Sequence, residues 1–170
     1  VANAIQIATG YSHVLALLRD GSLKAWGSNQ SGELGDSTQS ASNTPIRTHT
    51  TACITAVAAG NNYSLALQSD GTVLSWGFNG LGSLGRGSIG GNFLLPAPVV
   101  GLSNVIAIAA GAYTGFALRG DGTVWAWGYP ILGDGGLSQR LTPVPVSGLT
   151  GAVAIACGWE VSLALKNDRT

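Results

Sequence analysis

Apolar residues along the chain come in short runs of five or so, separated by glycine or polar breaks, and the runs recur. The stretch Val105 to Gly128 shows the whole motif. A small-residue apolar run (Ile106 to Ala110) ends in Gly111, and a second run (Gly115 to Leu118) follows a three-residue break. An Asp121-Gly122 turn then leads into a third run, Thr123 to Trp127, closed by Gly128. Runs of this length with tight breaks predict three short strands in an antiparallel meander, and Asp-Gly between apolar runs is a strong hairpin signal. No stretch carries a convincing helical apolar period, so the expected class is all-β.

With the glycine that closes the first run as phase marker, the motif recurs at Gly10, Gly60, Gly111 and Gly158, at spacings of 50, 51 and 47 residues. Six residues after each marker stands Ala-Leu, and ten residues after it stands Asp20, Asp70, Asp121 or Asp168. Sixteen residues after it come Trp26-Gly27, Trp76-Gly77 and Trp127-Gly128, with the fourth copy ending before its tryptophan. A Leu-Gly pair follows in each full unit (Leu34-Gly35, Leu84-Gly85, Leu132-Gly133), the third arriving three residues early. Segments with proline come next (Pro45-Ile46, Pro96 to Val100, Pro143 to Val146). Proline has no amide hydrogen, so these suit outer, edge strands. The expected units are about 4–52, 53–103 and 104–150, with a partial unit at 151–170. Four-stranded units at this period are the signature of propeller blades, and a single unit is too small to stand alone.

The repeat AAGxxxSLALxxDGTVxxWGxNxxGxLG, most complete over Ala58 to Gly85, resembles that of the regulator of chromosome condensation family. The resemblance covers essentially the whole chain and implies a β-propeller of the seven-bladed type, of which this chain supplies about 3.5 blades. In that picture Ala-Ala-Gly lies on the crowded innermost strand, Leu-Ala-Leu in the core between blades, and Trp as a plug between sheets. Two departures stand out. Arg169 replaces the turn glycine of the fourth copy, which predicts a different or frayed turn. The family's frequent histidine before Ser-Leu-Ala-Leu is kept only as His13, with Tyr63, Thr114 and Val161 as its counterparts.

Composition narrows the function. Eight basic residues balance eight acidic ones among 170, which argues against an electrostatic binder of nucleic acid or of a membrane surface. Charged residues are 9%, against roughly 25% in an average globular chain. No uninterrupted apolar run approaches the ~18–20 residues of a membrane-spanning helix. Cys53 and Cys157 are too few for a disulfide framework and read as small buried hydrophobes. The chain begins at Val1 and ends at Thr170 in mid-pattern, which reads as a processed or excised piece. Low charge with abundant Ser, Thr, Gly and Asn leans towards a bacterial, secreted origin.

Little looks catalytic. Four of the eight acids are explained by turns, leaving Glu33, Asp36, Asp134 and Glu160 scattered. His13 and His49 form no metal-ligand cluster, and the serines lack a nucleophile elbow. Gly80 to Gly85 spells GxGxxG, but no helix pattern follows and the repeat accounts for its glycines. No catalytic residue, cofactor or metal is expected. The stronger signal lies in the loops, because the first and third connections of a meander emerge on one face. The first connections carry Tyr11, His13, Asn62, Tyr63, Tyr113, Trp159 and Glu160, and the third carry Phe78 and Tyr129. Aromatics beside Asn and Ser compose protein-recognition surfaces. The leading expectation is a non-enzymatic protein-interaction module whose partner the sequence does not name. A rival is a self-assembling half-propeller, a homo-oligomer (dimer) held by open blade faces. A third expectation, implied by the resemblance, is guanine-nucleotide exchange on a small GTPase.

Overall fold

The computed structural model describes residues 1–50, 53–168 and 170, and among them there is no helix. Unit one comprises β1 (Ala4–Thr9), β2 (His13–Leu18), β3 (Leu23–Gly27) and β4 (Ser42–Arg47). Unit two repeats the order as β5 (Ile54–Ala59), β6 (Tyr63–Gln68), β7 (Val73–Phe78) and β8 (Asn92–Pro98). Unit three has β9 (Val105–Ala110), β10 (Thr114–Arg119), β11 (Val124–Gly128) and β12 (Arg140–Pro145). Unit four contributes β13 (Ala152–Cys157) and β14 (Ser162–Lys166). Each full unit is one antiparallel sheet in chain order, and β13 pairs with β14 alone among the described residues. These are propeller blades, in a partial ring.

The hairpin between the second and third strands forms as the Asp-Gly signal predicts. Gly21, Gly71 and Gly122 have φ of 79°, 82° and 79°, a region that favours glycine. The preceding aspartate caps the turn: Asp20, Asp70 and Asp121 each accept from the amide two residues on, at 3.0, 2.9 and 3.0 Å. These bonds hold the exposed carboxylates below their usual range. The expected effect of Arg169 on the fourth turn lies outside the described residues. On either side of it, the Thr170 amide donates to Asp168 at 3.1 Å and the Lys166 amide to Thr170 O at 2.9 Å. The second bond matches Leu18 to Ser22, Gln68 to Thr72 and Arg119 to Thr123 in the other units.

The units stack through their inner strands: β5 packs on β1 and β2, β9 on β5 and β6, and β13 on β9 and β10. The small residues of Ala-Ala-Gly allow this approach. Between consecutive sheets lie three apolar clusters. The first holds Leu15, Leu17, Leu34, Val57 and Trp76, and the second Leu65, Val73, Leu84, Ala117 and Trp127. Both tryptophans are fully buried plugs, and each also ties two units together. The Trp76 indole donates to Glu33 O at 2.8 Å, and that of Trp127 to Ser83 O at 2.9 Å. Gly85 makes room for the latter, since a Cβ there would lie 2.8 Å from Trp127 Cδ1. The third cluster, between units three and four, contains Phe116, Leu118, Val124 and Leu132 but no tryptophan. Cys53 is exposed rather than buried, because it precedes β5 in the inter-unit link. Cys157 is half-buried, and burial pushes its thiol up to about 11.

Candidate functional site

In each full unit the first and third connections are stitched side by side. Ser28 N donates to Ser12 O at 2.8 Å, Phe78 N to Asn62 O at 2.8 Å, and Tyr129 N to Tyr113 O at 3.2 Å. All these loops therefore share one face. The third connections are held by a buried asparagine where the sequence has one. The Asn29 side chain accepts from Leu34 N at 2.9 Å and donates to Thr38 O and Ser40 O, each at 3.1 Å. Asn79 repeats the pattern with Leu84 N at 3.1 Å and Ser88 O at 3.0 Å. These buried residues shape the loops from inside.

Unit three departs from this. Its Leu-Gly pair comes early, Pro130 stands where the others carry Asn, and the shortened loop leaves Ile131 74% exposed at φ 66°. A β-branched residue in that region is strained, a condition that often marks a functional segment. Beside it opens a groove of about 360 Å³ lined by Tyr113, Tyr129, Ile131, Trp159, Glu160 and Val161. Four residues expected from the loops thus meet in one place: Tyr113, Tyr129, Trp159 and Glu160. Tyr113 is fixed there by Asn61, which donates to its hydroxyl at 2.6 Å, and by Phe78, with ring centroids 6.2 Å apart. Tyr11 reaches Trp159 from unit one, at 5.9 Å between ring centroids and 60° between planes. Both of these side chains rim a second concavity of about 420 Å³ where the inner strands converge and all four marker glycines, Gly10, Gly60, Gly111 and Gly158, line the wall. Asn62 is half-buried and contributes its carbonyl to the stitch already described.

His13 and Tyr63 are a correction. They open strands β2 and β6 rather than ending loops, and both are buried against the next unit. The Tyr63 hydroxyl lies 2.7 Å from Thr114 O and 3.1 Å from Gly111 O, and burial holds it well above its ordinary range. His13 Nε2 lies 2.9 Å from Ser64 Oγ. This contact is no nucleophile pair. The Ser64 hydroxyl already donates to Glu33 O at 2.8 Å, so the imidazole Nε2–H must be the donor to Ser64 Oγ. Burial brings His13 down to about 4, which keeps the ring neutral, and Nδ1 has no partner among the described residues. His13 and Tyr63 are inter-unit clasps at equivalent positions. Among the described residues, no three His, Cys, Asp or Glu side chains gather to hold a metal ion.

The loop groove offers an aromatic floor, exposed aliphatic edges and the carboxylate of Glu160. Sequence reasoning missed Ile131, Pro130 and Val161. The early Leu-Gly pair was the available signal, since it shortens the loop that would otherwise cover this spot.

Comparisons with known proteins agree with the geometry. The model of the regulator of chromosome condensation (RCC1) repeat matches residues 20–67, 70–118 and 121–165, and a second model of that repeat matches 4–33 and 54–83. Comparison of the sequence with curated proteins finds no match. Among solved structures, human WBSCR16 is 28% identical with a TM-score of 0.87, covering 97% of this chain and 45% of that one. Yeast RCC1 (Prp20), solved bound to Kap60, is 24% identical with a TM-score of 0.82, covering 97% of this chain and 42% of that one. Prp20p from Saccharomyces cerevisiae, described with its binding properties to Gsp1p and histones, is 23% identical with a TM-score of 0.86, covering 95% and 43%. The chain spans less than half the length of these structures, and the two yeast likenesses bear on the fold alone. Four phased repeats, four-stranded blades with a tryptophan plug, and family models matching most of the residues lead to one conclusion: the chain belongs to the RCC1 repeat family.

Proposed function

We propose that this chain is a non-enzymatic protein-interaction module that takes its partner across the loop face of units three and four. The observation that carries this reading is the groove beside Ile131, where Tyr113, Tyr129 and Trp159 meet around Glu160. Aromatic side chains held by neighbouring contacts bury much apolar area at low entropic cost, which is the profile of binding hot spots. The partner chemistry that fits is an aliphatic or aromatic anchor followed by a hydrogen-bond donor or cation for Glu160. That yeast Prp20 is described with bound proteins is in keeping with such a role. The test compares affinity capture by the wild type and by a Tyr129→Ala, Ile131→Ala, Trp159→Ala variant whose melting curve is unchanged. Proteins retained by the first and lost by the second are expected, and identical profiles would overturn the assignment. Incubating the chain with nucleotide-loaded small GTPases separates plain binding from exchange, since only the latter accelerates nucleotide release.

A second reading, self-association, is favoured by the two ends of the arc. Ile7 on the outer face of unit one is 53% exposed, whereas its counterpart Val57 is 3% exposed. On unit four, Leu163 and Leu165 are exposed where their counterparts elsewhere are buried. The two faces differ, so contact between them would be head-to-tail.

A further inference from the structure

The outer strands of the three full units share one edge pattern. Among the described residues β4, β8 and β12 each pair with a single neighbour, the third strand of the same unit. Their last inward bonds are alike: Thr48 N donates to Leu23 O at 3.0 Å, Val99 N to Val73 O at 2.8 Å and Val146 N to Val124 O at 2.9 Å. Backbone groups alternate in direction along a strand, so the residue before each of these turns its nitrogen away from the sheet. Those residues are Arg47, Pro98 and Pro145, opposite Lys24, Leu74 and Trp125. Two residues earlier, where each sheet shifts register, stand Pro45, Pro96 and Pro143. Five of the six prolines in the chain thus lie on these edges.

Acceptors on the same edges are taken as well. Leu94 O receives the Ser37 amide at 3.1 Å and Leu141 O the Gly87 amide at 2.8 Å, each from the third connection of the preceding unit. Gly32 lets that connection come close, since a Cβ there would lie 2.9 Å from Leu94 Cα. The need for cover is greatest on unit two. Strand β8 reads NFLLPAP, and Leu95 is 47% exposed where units one and three carry Thr44 and Thr142. An exposed edge with such an apolar run is a template for pairing with another chain. The pattern is internal to each unit and independent of how the arc is closed.

We propose that the rim prolines keep the outer strands of units two and three from pairing edge to edge with a second copy of this chain. Proline removes the donor that an added strand needs, at positions where the sheet itself asks for none. The blade therefore keeps its own bonds while its edge falls silent. Unit one carries Arg47 at one of these positions, and a charged side chain is the other common means of blunting an edge. This inference goes beyond the loop-face reading. A rim closed to strand addition leaves recognition to side chains.

The test is a Pro96→Thr, Pro98→Thr variant, which restores both amides on a residue suited to strands. Its sedimentation over a concentration series is compared with that of the wild type, so that any head-to-tail contact acts in both. Self-association roughly tenfold tighter or more is expected, with a cross-β dye signal on long incubation. Pro143→Thr with Pro145→Thr should act likewise but more weakly, because Thr142 stands there in place of Leu95. Adding Leu95→Lys to the first variant should return it to wild-type behaviour, since a charge on the edge opposes pairing. Sedimentation identical to the wild type overturns the proposal. So does association that Leu95→Lys leaves in place, which would come from unfolding. Loss of the fold in both proline-pair variants overturns it too, because the prolines would then serve the blade and not its edge.

Discussion

Unit two and unit four share a sequence pattern but not a fate. On unit two, Leu65 and Leu67 are buried under unit three, whereas on unit four the equivalent Leu163 and Leu165 are 68% and 50% exposed. The residues are identical, the strand pairing is alike, and the hairpin contacts of Asp70 recur at Asp168. The difference is the neighbouring sheet. In a repeat protein local sequence decides the blade, whereas burial is decided by the next blade, so energy resides in nearest-neighbour interfaces. A leucine in this motif is a core residue or an exposed one according to what stands beside it.

The largest expected effect concerns the plugs. Trp127→Ala removes a fully buried indole and its bond to Ser83 O, so a loss of about 3–5 kcal/mol is expected in urea denaturation. Trp26 holds the same place in unit one, but it is half-buried and its indole nitrogen makes no hydrogen bond among the described residues. Trp26→Ala should cost roughly 1 kcal/mol. Equal losses would break the comparison, because they would mean that the outer face of unit one is packed as an inner one is.

A second effect separates His13 from Tyr63, two clasps at one repeat position. The Tyr63 hydroxyl stays neutral across the accessible range. His13 is brought from 6.5 to about 4 by burial, so as pH falls the unfolded chain takes up its proton first. The contribution of this group is therefore full above pH 6.5 and lost progressively towards pH 4, by up to about 3 kcal/mol. His13→Tyr, which copies unit two, should flatten stability over that window. The measurement is a series of thermal melts of both proteins from pH 7 down to about 4, below which the carboxylates titrate in both. Parallel curves would show that His13 is accessible to protons in the folded chain.

Most of the fold was legible because the repeat states each element three or four times. Glycine markers, Asp-Gly turns and the Trp-Gly pairs locate the strands and the plugs without any long-range information. The site was legible only in part. Tyr63 and His13 read as loop residues when the second strand is begun one residue late, and in a strand one residue decides which face a side chain takes. The Asn29 side chain bonds four residues of its own loop and that of Asn79 two, a role that no spacing reveals. The groove beside Ile131 arises from a loop three residues shorter than its relatives, and a deletion announces a gap without saying what lines it.

The smallest effect is the most discriminating for assembly. Leu65→Ala should destabilise by about 2–5 kcal/mol, since the side chain is fully enclosed and its loss leaves a cavity. Leu163→Ala, at the equivalent position, should change stability by no more than about 0.5 kcal/mol in a dilute sample, because water already reaches most of the side chain. The informative quantity is how that small number varies with protein concentration. For a chain whose fourth unit faces solvent, the value is the same at every concentration. For copies joined head-to-tail through Leu163, the leucine becomes a core residue in the assembly, and mass action adds its burial to the apparent stability as concentration rises. The wild type would then melt higher in concentrated samples while Leu163→Ala would not, and sedimentation of the two would diverge in step. A gap between the curves that widens with concentration establishes that unit four is closed by another copy, and a constant gap establishes that it is open.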